Sequence, residues 1–155
     1  MQKKTCNIFM PIKEDYIIVL SMLQSIGKIF YFTHEFNTAD EYFEHRKQET
    51  YLASLTLMAN IGEQSNKLSE NFKNDLNSLN WKQIKGLRNF IVHNYEGVDY
   101  IILFDTIKND LPNLKIQLEN YLKEEIIRNR INKDTFADLI SDNPFYEFVD
   151  FQNIL

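Results

Sequence analysis

With 155 residues, 44% of them hydrophobic and 25% charged, the chain is long enough to bury one core without disulfides or a structural metal. A formal net charge of -5 excludes a broad basic face for nucleic acid, since phosphate affinity comes from clustered Lys and Arg; any polynucleotide it handles must be held on a small local footprint. Only 4 Gly and 3 Pro interrupt the chain, which favours long helices.

The opening stretch from Met1 to Pro11 is basic, but its apolar run is too short for a secretory leader. Cys6 has no Cys or His at disulfide or metal-ligand spacing and reads as inert. No later run approaches the ~18 uninterrupted apolar residues of a membrane helix, so a cytoplasmic protein that does not engage a membrane is expected. From Lys13 to His34, Tyr16, Val19, Leu20, Leu23, Ile26, Ile29 and Phe30 recur at three- and four-residue spacing and predict a first helix. Thr38 and Glu41 form a capping-box pattern, after which a helical signal runs to about Leu68. Along it Leu52, Leu55, Met58 and Gly62 form a stripe whose small residues let another helix approach.

Residues 71–80 are rich in Asn and Ser and predict a loop or a single turn. Trp81 then opens a helix carrying Ile84, Leu87 and Ile91 on one face, and Asn94 to Gly97 reads as its stop, with Gly97 available for a left-handed cap. From Tyr100 the stripe Leu103, Ile107, Leu111, Leu114, Leu118 and Tyr121 predicts a further helix that Pro112 either kinks or restarts. Asn132 to Thr135 offers one more helix start before an aromatic tail, Pro144 to Phe151. The expected fold is all-α: a single domain over 1–155 built as an antiparallel four- to five-helix bundle, with a short C-terminal helical extension over about 124–155.

One short stretch combines the groups that phosphodiester cleavage needs. Arg88 is a permanent cation and His93 can give and take a proton near neutral pH. In metal-independent RNA cleavage a base takes the 2′-OH proton, the alkoxide attacks the adjacent phosphorus, and an acid protonates the departing 5′-oxygen. His93 can be either partner, and Arg88 can hold the phosphoryl charge through paired hydrogen bonds. Residues five apart on an unbroken α-helix point about 140° from each other. Either the helix ends between Arg88 and His93, or two copies of the chain meet so that two Arg and two His line one cleft; the latter predicts a homodimer.

The pattern Arg88-x4-His93-x-Tyr95, with Trp81 to Leu87 before it and Val98-Asp99-Tyr100 after it, resembles the HEPN superfamily, in particular its HepT-type toxins. The likeness extends upstream over Ile61 to Ser69 and downstream over Ile107 to Leu114, and spans about 13–122. It implies a homodimeric endoribonuclease toxin, acting on tRNA or mRNA without cofactor or metal, with Arg88 and His93 catalytic and Asn89 supporting. It further implies an MntA-like nucleotidyltransferase antitoxin that silences the enzyme by AMPylation of Tyr95. Bulky, anionic AMP two residues from His93 would block the cleft and repel RNA phosphate. The competing reading is a non-catalytic, helical dimeric module that partners such a nucleotidyltransferase.

Other candidates have plainer readings. His34 and His45 lack a matched carboxylate or Cys pattern and read as surface residues outside the site. Glu63 reads as a structural carboxylate rather than a partner for Arg88. Lys82, Lys85 and Arg46-Lys47 read as solvated helix surface rather than RNA contacts. The aromatic tail reads as an apolar strip docked on the body or on a partner rather than a base-stacking platform.

Overall fold

The computed structural model describes residues 10–155 apart from Asp142, with side chains from Asp15 onward; the expectations for the first nine residues, Cys6 included, lie outside this range. Every regular element among the described residues is helical. Four long helices, α1 (Met10–Thr33), α3 (Glu49–Lys67), α5 (Trp81–His93) and α7 (Leu111–Ile127), form the body. Short ones, α2 (Ala39–Glu44), α4 (Glu70–Asp75), α6 (Tyr100–Asp105) and α8 (Lys133–Ile140), serve as corners and as the start of the tail.

Cross-links between the long helices fix their directions. Asp15 of α1 accepts from the Ser69 amide at 2.8 Å and the Ser69 hydroxyl at 2.6 Å, just past α3, while Asn60 of α3 donates to Ser25 at 2.8 Å. These pairings run antiparallel. Tyr51 near the start of α3 donates to the Val98 carbonyl beyond α5 at 2.8 Å, while Gly62 lies against Ile84 and Arg88, so α5 runs antiparallel to α3. Lys108 donates to the Thr33 carbonyl at 2.9 Å, placing the start of the α7 run at the end of α1. The α1 stripe is the core: Val19, Leu20, Leu23, Ile26 and Ile29 are buried against Leu55, Met58, Ile61, Leu118 and Leu122. Each such side chain contributes about 1.5–3 kcal/mol through its removal from water. Asp15–Thr33 has the length and composition of a membrane span, and 56% of its most apolar window is buried inside the bundle.

The capping box at Thr38 forms, Thr38 Oγ1 accepting from the Glu41 amide and Glu41 accepting from the Thr38 amide, but the helix it starts does not run to Leu68. It stops at Glu44, and Arg46, Lys47 and Gln48 all take left-handed backbone angles (φ 46°, 56° and 73°) before α3 begins. The reason is in the core. Tyr42 and Tyr51 are nine residues apart, which on one straight helix would put them on opposite faces, yet both are buried with rings 6.2 Å apart. The turn brings both inward, and Tyr51 takes the core position that the sequence pattern assigns to Leu52, which is exposed. Left-handed angles cost a non-glycine residue about 1–2 kcal/mol each. A 2.6 Å hydrogen bond between His45 Nδ1 and Thr50 Oγ1, and Phe43 stacked 4.2 Å from Tyr100, help hold the turn in place.

The run from Tyr100 to Ile127 stays helical past Pro112, because residues 106–110 widen into a π turn in which the Leu111 amide donates to the Thr106 carbonyl. Pro112 has no N–H and its ring crowds the preceding turn; widening relieves both problems.

The C-terminal extension packs on the body. The Phe148 amide donates to Gln24 Oε1 at 2.8 Å, Tyr31 lies 5.4 Å from the Phe148 ring, and Val149 and Ile154 are buried. It crosses α1 at Gly27, where a Cβ would sit 2.0 Å from the Phe148 carbonyl oxygen. In a free helix Gly27→Ala would gain about 1 kcal/mol, whereas in the full chain we expect overpacking to outweigh that gain, for a net loss of about 2 kcal/mol. Removing residues 144–155 should make the same substitution stabilising; thermal melts of the four proteins measure this, and a stabilised full-length Gly27→Ala would show that the tail does not lie on α1.

Candidate active site

The site is built on α5, and the sequence explains how that helix is fixed. Asn80 caps it, its Oδ1 accepting from the Gln83 amide at 3.1 Å. Trp81 donates its indole N–H to the carbonyls of Lys73 and Leu76 at 3.2 and 3.0 Å and lies edge-on to Phe72. The other anchor is Gly62, where an added Cβ would lie 2.8 Å from the Arg88 amide nitrogen. The glycine sets how near α3 and α5 approach, and with that the height of Arg88.

Only Ile91 of α5 is fully buried, with Ile84 and Leu87 partly so. Arg88, Asn89 and His93 are exposed. Arg88 Nη1 donates to Asn89 Oδ1 at 3.1 Å, and its Nε lies 3.5 Å from Glu63 Oε2. Glu63 is therefore a half-exposed partner of Arg88 rather than a buried structural carboxylate; the antiparallel register of α3 and α5 brings the two together, and the sequence alone does not reveal that register. Asn89 orients the guanidinium from the adjacent position.

The helix does not end between Arg88 and His93. It continues through His93 and closes on Asn94, whose amide donates to the Phe90 carbonyl at 3.1 Å. Gly97 does not provide a left-handed cap, as it has no positive φ. Its amide instead donates to the Asn94 carbonyl at 2.7 Å and closes a short 3-10 turn over Tyr95–Gly97. Arg88 and His93 consequently stand about 7.5 Å apart along one helix and about 140° apart around it. A single chain does not bring them face to face.

Tyr95 is half-exposed at the mouth of a cavity of about 420 Å³ with Phe43, Gln48, Tyr51, Leu52 and Tyr100 in its walls. Several large apolar side chains on α5 and α6 are exposed: Phe90, Val92, Ile101 and Ile102, at 53%, 52%, 55% and 65%. Beside them lies a groove of about 460 Å³ floored by Met58 and Ile61 and walled by Ile84, Leu87 and Ile102. His34 and His45 stand away from Arg88 and His93, His34 against its own Tyr31 carbonyl and His45 on Thr50.

Residues 22–121 match the sequence profile of the HepT-like family, described as ribonuclease HepT-like, and the chain belongs to that family. A "putative RNase" of Methanocaldococcus jannaschii is 32% identical over 98 residues, which cover 63% of this chain and 87% of that protein. A second from the same organism is 31% identical over 116 residues, 74% and 93% of the two chains. A "probable ribonuclease HepT" of Thermococcus cleftensis is 30% identical over 100 residues, 64% and 88%. No solved structure matches.

Proposed function

We propose that the chain is the toxin of a toxin–antitoxin pair, a cytoplasmic, metal-independent endoribonuclease that acts as a homodimer. Arg88 and His93 on one exposed helix end, within a family described as ribonucleases, carry the reading. One His93 takes the 2′-OH proton, the 2′-oxygen bonds to phosphorus, the bond from phosphorus to the 5′-oxygen breaks, and a second His93 protonates that oxygen. Arg88, steadied by Asn89 and Glu63, holds the phosphoryl oxygens. Products end in a 2′,3′-cyclic phosphate and a 5′-hydroxyl.

Two features support the homodimer. An unbroken α5 separates the two groups of one chain, and large apolar side chains on α5 and α6, Phe90, Val92, Ile101 and Ile102, stand exposed near them in the chain. The test is cleavage of a single-stranded RNA by the purified chain in EDTA, compared with His93→Ala. Equal cutting by both proteins sinks the assignment.

Tyr95 is the proposed point of control, AMPylated by an MntA-like nucleotidyltransferase using ATP. Its exposed hydroxyl lies two residues from His93, so an added phosphodiester would put negative charge and bulk at the cleft. Incubation with the nucleotidyltransferase and ATP is expected to add AMP-sized mass and to abolish cutting. AMP added equally to Tyr95→Phe would move the modification elsewhere.

A further inference from the structure

The left-handed turn between α2 and α3 stands between two clefts. On one side Gln48 lines the cavity that holds Tyr95. On the other, Arg46 and His45 line a second cleft of about 420 Å³ with Tyr31, Phe32 and His34. Both clefts offer aromatic walls, and Tyr31 is 62% exposed. Arg46 and Lys47 are exposed and make no ion pair within 4 Å among the described residues, although Glu35 and Glu49 also line the second cleft. The left-handed turn that lets Tyr42 and Tyr51 share the core also leaves Arg46 and Lys47 exposed upon it.

Resting on the ribonuclease reading, we propose that this turn is an RNA grip outside the catalytic pair: Arg46 and Lys47 take backbone phosphates of single-stranded RNA as it leaves the cut, and the aromatic walls of the two clefts stack its bases. The chemistry is that of single-strand binding, with cations tracking the backbone and aromatic faces receiving bases without regard to sequence. The turn adjoins Tyr95, which follows His93 by two residues, so a strand passing the catalytic pair reaches the turn after a short run. The site also fits the acidic chain. Two exposed cations, without an ion pair among the described residues, supply a local footprint where a broad basic face is missing.

The probe is a fluorescein-labelled single-stranded RNA of mixed sequence, bound to the non-cutting His93→Ala chain and cut by the otherwise native one. Arg46→Gln/Lys47→Gln is expected to weaken binding and raise KM about 10-fold, with kcat within about twofold. The slope of log affinity against log salt should shrink by about 1.4, two phosphates' worth for a single strand. Arg46→Lys/Lys47→Arg, which keeps both charges, should restore affinity and slope. The grip is overturned if the Gln pair binds and cuts like its parent, and equally if kcat falls while KM and salt slope hold, since that would mark a structural role. A parent chain that cuts RNA with unaltered KM in the Gln pair fails the grip alone; a parent that neither binds nor cuts RNA fails both it and the ribonuclease reading.

Discussion

His93→Ala is expected to lower the rate of RNA cleavage by about 10²–10⁴-fold, the range spanned by loss of a positioned proton carrier. Arg88→Ala should cost about 10²–10³-fold, as loss of one preorganised charge partner does. Neither change should unfold the protein. His93 is the exposed last residue of α5, and the only ion pair Arg88 makes among the described residues is a 3.5 Å contact with a half-exposed Glu63, a type worth at most about 1 kcal/mol. Activity and melting temperature should therefore separate: rate lost, stability kept. Arg88→Lys sharpens the point, since a point charge cannot reproduce the two parallel hydrogen bonds of a guanidinium to phosphoryl oxygens. It should recover little of the rate. A His93→Ala chain that cuts at the parental rate would remove His93 from the chemistry, and one that melts well below the parent would make the lost rate a matter of folding.

Much of this could be read from the residues. The α1 stripe, the caps at Thr38 and Asn132, the start of α5 at Trp81 and the close approach at Gly62 follow from period, side-chain chemistry and size. These are local signals, and local signals survive folding. What escaped depended on distant partners. Nothing in His45-Arg46-Lys47-Gln48 announces a left-handed turn; it exists because Tyr42 and Tyr51 must share one core, and that constraint appears only once the helices are docked. A reader checking the phase of aromatic residues across the supposed long helix would have found Tyr42 and Tyr51 half a turn out of step, the one clue available. Glu63 reads as structural in the sequence for the same reason, because the sequence does not state the register between α3 and α5. The motif Arg88, His93 and Tyr95 stands out in the sequence as a candidate for chemistry, whereas its placement on an unbroken helix, with Arg88 and His93 turned apart, required the structure.

That placement leads to the second large effect. Ile102→Asp is expected to give a folded chain that no longer pairs and, at submicromolar concentration, no longer cuts RNA. Ile102 is 65% exposed in the single chain and lies in the first turn of α6, where a carboxylate is solvated and favoured by the helix N-terminus. The isolated fold should lose almost nothing. In a two-fold pair the same position recurs on both copies, so two carboxylates would have to leave water together, at a cost of several kcal/mol for each one left without a partner. A penalty of about 4 kcal/mol raises the dimer dissociation constant about 1000-fold. Cleavage should fall with the dimer population and return as protein concentration rises, a dependence that damage to a self-contained site would not produce. Ile127→Asp provides the control, because Ile127 is as exposed, at 68%, but closes α7 far along the chain from the α5–α6 surface. It should leave both mass in solution and rate unchanged. If Ile102→Asp sediments as the parent does and cuts as fast, the two copies do not meet on this surface. Arg88 and His93 of one chain would then have to act across the roughly 140° that α5 sets between them, or with groups that lie elsewhere.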